Sequence, residues 1–188
     1  MKKLKIGVIG IGGIATNIHL PALKANDKVE IVALCDIKKN KAKKQAGRLG
    51  VSKVFKDYKD LLALSEIDAV DICTPNYFHS IIAVDAFCKD KHVFCEKPDA
   101  INVKEVLKMK EAGVKADKLL MVMRNNRFLN MSRFLKKYIE QEKLGEIYAA
   151  KCGWVRKRGI PGKGGWFTTK EKSGGGPLID LGVHMIDL

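Results

Sequence analysis

A chain of 188 residues, 46% apolar and 30% charged, can form a buried core and fits one large domain or two small ones. No stretch approaches the roughly 20 apolar residues of a membrane span, and Met1-Lys2-Lys3-Leu4-Lys5 leads into a glycine-rich turn without a cleavage pattern, so no export signal is read. The net charge of +14 comes from lysines scattered along the chain on presumptive helix faces, without interleaved aromatic platforms. That pattern describes a solvated basic surface with no specific nucleic-acid partner, and it helps attract an anionic cofactor. The five cysteines are odd in number and form no C-x-x-C, which points to reduced thiols in the cytoplasm and to no metal site.

In chain order, the apolar run Lys3 to Ile9 reads as a first strand. It enters Gly10-Ile11-Gly12-Gly13-Ile14-Ala15, a G-x-G-x-x-A where a strand becomes a helix. Gly10 allows the tight turn, Gly12 lets a pyrophosphate approach the backbone, and Ala15 permits close helix–strand packing. The N–H groups of the new helix, from Gly13 and Ile14 onward, then face the phosphates. That helix runs to Ala25, with Pro21 bending it or ending its regular part. Val29 to Cys35 is the second strand, and Asp36 at its end is placed to accept hydrogen bonds from ribose hydroxyls. Its charge favours NAD over NADP, although Lys38 and Lys39 leave NADP possible.

The alternation continues. Lys38 to Leu49 reads as a helix closed by Gly50, Val54-Phe55 as a short strand and Tyr58 to Leu64 as a helix. Ala69 to Cys73 is an apolar strand ending in Thr74-Pro75-Asn76. Phe78 to Cys88 is helical, His92 to Cys95 is a strand ending in Glu96-Lys97-Pro98, Asn102 to Ala116 is a helix with Asn102 as its N-cap, and Leu119 to Met123 is a last strand. Alternating strands and helices imply an α/β fold with a doubly wound parallel sheet, whose ligands sit off the carboxyl ends of the strands. From residue 124 the pattern changes. Leu129 to Lys143 predicts an amphipathic helix and Glu146 to Arg156 a strand. A glycine-rich loop over Gly159 to Gly176 contains Trp166, and Pro177 opens a final helix. One strand cannot form a sheet alone, so residues 124–188 read as the incomplete start of a second, α+β domain, after a nucleotide-binding domain over 1–123. A compact two-part protein whose tail packs on the sheet or on another subunit is the alternative.

Gly10-x-Gly12-x-x-Ala15, Cys73-Thr74-Pro75-Asn76-x-x-His79, Glu96-Lys97-Pro98, Arg127-Phe128 and Gly174-Gly175-Gly176-Pro177-Leu178-Ile179-Asp180-x-Gly182-x-His184 occur in this order. Together they resemble the Gfo/Idh/MocA oxidoreductases, named for glucose–fructose oxidoreductase and inositol dehydrogenase, over nearly the whole chain. The resemblance implies a Rossmann sheet followed by a substrate and oligomerisation domain in a protein about twice this long, so the chain reads as C-terminally short. It implies NAD(P)-dependent hydride transfer to or from a secondary alcohol of a sugar, cyclitol or related polyol, and self-association. Lys97 would stand between nicotinamide and substrate, where a lysine exchanges protons readily once desolvated or beside another cation. Pro98 would shape the turn through a cis bond. Asp180 and His184, four residues apart, share a helix face, with His184 accepting the alcohol proton and Asp180 orienting substrate or imidazole. Thr74, Pro75, Asn76, His79 and Glu96 would border the cofactor. Arg127 could meet an anionic or polar substrate and Trp166 could wall a sugar ring. His79 reads equally as a packing residue, and His19 and His92 as structural ones. The alternative function is a non-catalytic dinucleotide-binding fragment or sensor.

Overall fold

The computed structural model describes residues 2–155, 157–159, 161, 162 and 164–188. Six strands, β1 (Leu4–Ile9), β2 (Val29–Cys35), β3 (Lys53–Phe55), β4 (Ala69–Ile72), β5 (His92–Cys95) and β6 (Leu120–Val122), form one sheet in the order β3-β2-β1-β4-β5-β6. Every neighbouring pair is parallel. The chain reverses its direction of travel between β1 and β4, which opens a crevice at their carboxyl ends.

Helices cover both faces. Ile6, Val8 and Leu34 pack with Leu20 of α1 (Leu20–Ala25) and with Ala42 and Ala46 of α2 (Lys39–Leu49). The alternate strand positions Ile9, Val70, Ile72, Val93 and Cys95 pack on α3 (Tyr58–Leu62), α4 (His79–Cys88) and α5 (Val103–Lys115). This alternation is the two-residue period of a strand buried on both sides.

Local chemistry ends the elements where expected. Gly50 closes α2 in the left-handed conformation, and the Asn102 side chain accepts from Glu105 N at 3.0 Å at the start of α5. Pro21 does not end the first helix. The preceding Ala15–His19 segment is π-wound and runs directly into α1, with Pro21 in the first turn of α1.

The second part departs from expectation. α6 (Asn130–Glu140) is present, but residues 146–155 form no strand; Arg156 lies outside the described residues. A strand needs a neighbouring ladder, and here Tyr148 is 94% and Val155 98% exposed. The chain then returns to the sheet through α7 (Lys170–Ser173), π-wound Leu178–Gly182 and α8 (Val183–Asp187).

Candidate active site at the strand ends

Gly10 follows β1 with φ +92°, and its N–H donates to Cys35 O at 2.8 Å. A Cβ there would lie 2.7 Å from the Cys73 carbonyl, so the first glycine of the turn is required by β4 as much as by a ligand. Cβ atoms on Gly12 or Gly13 would meet nothing within 4 Å. These two glycines, with exposed Ile14, border open space in front of the helix start. Asp36 holds the turn itself: its carboxylate accepts from Ile11 N at 2.8 Å and from Lys38 N at 2.7 Å. It therefore spans the glycine turn and the approach to α2, with lone pairs remaining for a ribose.

Opposite this turn, Thr74 follows β4, and its buried Oγ1 has no hydrogen-bond partner among the described residues. Pro75 precedes the 3-10 turn Asn76–Phe78. Asn76 is buried and donates from Nδ2 to Ser173 O at 2.8 Å, so its amide fastens the returning chain. His79 differs from the expected cofactor contact. It is fully buried, with Nδ1 2.8 Å from Pro98 O and Nε2 2.9 Å from Thr74 O. Burial holds its pKa below the ordinary imidazole value. Its ring ties the turn after β4 to the turn after β5 and faces no solvent.

The Lys97–Pro98 peptide bond is cis. Lys97 Nζ donates to the carboxylate and to the backbone carbonyl of Asp180, both at 2.7 Å. Glu96 turns back so that Oε2 accepts from Lys97 N at 3.0 Å. Lys97 and Asp180, far apart in sequence, thus meet at the carboxyl end of β5. His184, one helical turn beyond Asp180, is buried, and its Nδ1 has no partner among the described residues. Desolvation first, then the Lys97 charge, holds its pKa below the ordinary value, so the ring is neutral at pH 7.

Two expected substrate contacts lie elsewhere. Arg127 donates from Nε to Asp187 Oδ2 at 3.0 Å and from Nη2 to Oδ1, so its fork is spent on α8. Asp187 also faces Arg124, which pairs with Asp99. Trp166 stacks on Phe167 with centroids 3.7 Å apart, whereas the indole beside His184 is that of Trp154, edge-on at 6.4 Å. Sequence reasoning missed Trp154 because it lay within the expected strand.

Beneath the site, His19 bridges two carboxylates: Nδ1 is 2.8 Å from Asp71 Oδ2 and Nε2 is 2.8 Å from Glu96 Oε1. The signal for this network was Asp71, a charge inside an otherwise apolar strand, which burial forces to find a partner. His19, Asp71 and Cys73 bring three metal-ligating atoms within 4.8 Å of one another. Here they engage one another instead: Cys73 Sγ donates to Asp71 Oδ1 at 3.6 Å, and burial keeps its thiol protonated.

A parallel sheet in this order, with a glycine turn and helix start at its switch point, defines the dinucleotide-binding Rossmann class. Residues 4–124 match the model of the Gfo/Idh/MocA oxidoreductase family's NAD-binding Rossmann fold, and residues 132–188 match that of the family's C-terminal domain. The chain belongs to the Gfo/Idh/MocA oxidoreductase family. It is 35% identical over 187 residues to the D-glucoside 3-dehydrogenase of Escherichia coli (strain K12), covering 98% of this chain and 52% of that protein. Against the myo-inositol 2-dehydrogenase of Thermotoga maritima the identity is 31%, covering 98% and 53%. The crystal structure of an NAD-binding protein from Listeria innocua superposes with a TM-score of 0.83 at 32% identity, covering 99% of this chain and 53% of that one. The chain thus spans about half the length of these relatives. Among the described residues no helix is long and apolar enough to cross a membrane.

Proposed function

We propose that the protein is an NAD(P)-dependent dehydrogenase acting on a secondary alcohol of a sugar, cyclitol or related polyol. The observation that carries this reading is the convergence of Lys97, Asp180 and neutral His184 at the carboxyl end of β5. The residues fit a dinucleotide: Gly12 and Gly13 leave room for a pyrophosphate, Asp36 offers acceptors to a ribose, and the orphaned Thr74 hydroxyl offers a further contact. A bound nicotinamide supplies the hydride acceptor. The chain's own groups handle the proton. His184 accepts it from the substrate hydroxyl, Lys97 polarises that oxygen as a point cation, and Asp180 holds the Lys97 ammonium. Residues 1–123 serve as the nucleotide-binding domain and 124–188 begin the substrate domain. Asp36 favours NAD. The names of the two dehydrogenase relatives support the sugar and cyclitol class.

Five free cysteines are consistent with a cytoplasmic protein, the scattered lysines with a solvated surface, and the exposed apolar face of α6 with self-association. The test is reduction of NAD and NADP by the purified protein across a panel that includes D-glucosides and myo-inositol, beside K97A and H184A. Turnover lost in both variants is expected. Cofactor binding without any turnover would replace this reading with that of a dinucleotide-binding sensor, and turnover that survives both substitutions would overturn the assigned roles.

A further inference from the structure

We infer that His19 is a positioning residue for Lys97: a doubly protonated imidazolium that fastens the helix after the glycine turn to β4 and to Glu96, and through Glu96 to the Lys97 backbone. With both acids ionised, the geometry leaves one protonation state for the ring. Asp71 is fully buried and Glu96 nearly so, and each points a carboxylate oxygen at a different ring nitrogen at 2.8 Å. A neutral imidazole has one N–H and would turn a lone pair toward the second carboxylate. An imidazolium donates to both.

The groups around the ring are consistent with this. Asp71 also accepts from Cys73, Glu96 also accepts from Lys97 N, and the Phe94 ring lies 5.7 Å away. The protonated Cys73 and Cys95 thiols beside these carboxylates carry no compensating charge. Burial alone would push the His19 pKa down, but the bonds to Asp71 and Glu96 outweigh it and raise it to about 9. Glu96 is in turn held below the ordinary carboxylate range, its own desolvation being outweighed by His19.

His19 lies in the π-wound segment that follows the glycine turn. The bridge therefore joins the element that faces the phosphates to the loop that carries Lys97. Its consequence for catalysis rests on the proposed dehydrogenase activity; its ionisation and its link to Lys97 do not.

The experiment is long-range 1H–15N spectroscopy of the ring nitrogens of the uniformly labelled protein between pH 6 and 10, with the Lys97 backbone amide followed in the same samples. Both His19 nitrogens are expected to be protonated at pH 7.5 and to titrate at about 9, with the Lys97 amide shifting at the same midpoint. Asp71→Asn tests the bridge from a group that touches neither Lys97 nor open solvent. It should lower the His19 midpoint by at least one pH unit and the Lys97 transition with it, and reduce kcat about tenfold or more while changing KM for the dinucleotide less than about threefold. A neutral His19 at pH 7.5, a Lys97 amide indifferent to its titration, or a folded D71N with unchanged kcat would overturn the inference. Absence of turnover in the unsubstituted protein would count against the proposed activity alone, since the two spectroscopic readouts still decide the bridge.

Discussion

The sheet of residues 4–122 and the segment from 124 onward satisfy their side chains in different ways. In the sheet, strand residues on both faces meet helices from the same stretch of chain, and the buried Asp71 and Glu96 carboxylates are paired with His19. In the later segment α6 carries a well-formed apolar face that the described chain leaves largely open: Phe134 is 61% and Met131 76% exposed. The bonds that tie that segment to the strand ends are polar and include Arg124 with Asp99, Asn76 with Ser173 O, and Lys97 with Asp180. The lesson is that the second part is located by contacts with the strand ends, not by a core of its own.

Substitutions should break this contrast in a graded order. His19→Ala leaves two buried carboxylates without their cation and should cost about 3–5 kcal/mol of stability in urea unfolding. Gly10→Ala adds a Cβ against the Cys73 carbonyl at positive φ and should cost roughly 2–3 kcal/mol, with loss of dinucleotide binding. Phe134→Ala, in the exposed face of α6, should change stability by no more than about 0.5 kcal/mol. A large loss at Phe134 would mean that this face is covered in solution.

The pH dependence of thermal unfolding sharpens the same comparison. His19, raised from 6.5 to about 9, contributes stability that is complete below pH 6.5 and is lost as pH rises through about 9. Glu96, lowered from 4.5, contributes stability that is complete above 4.5 and lost as pH falls through its depressed value. His184, lowered from 6.5, favours the folded state most above 6.5 and less as acid protonates it in the unfolded chain. The part of the decline between pH 6.5 and about 9 therefore reports the His19 bridge in the sheet, and it should be smaller in D71N.

The sheet was legible because each strand and helix carries its own period and punctuation: Gly50 and Asn102 cap where their chemistry requires. Lys97 and Asp180 were legible only as members of an ordered motif set, since nothing local in either predicts a bond between residues so distant in sequence. The strand expected at Glu146 to Arg156 failed because alternation describes a face, and a face becomes a strand only beside a partner. The ring that meets His184 and the acid that takes Arg127 were illegible for a related reason. Trp154 and Asp187 are set by how the chain returns to the sheet, and spacing does not encode that path.

The central claim is that the strand-end crevice of this chain holds a nicotinamide dinucleotide. Calorimetric titration of the purified chain with NADH and NADPH in parallel tests it directly. One site per chain is expected, with NADH bound more tightly than NADPH because of the Asp36 carboxylate. A chain that circular dichroism shows to be folded, yet binds neither nucleotide, would contradict it.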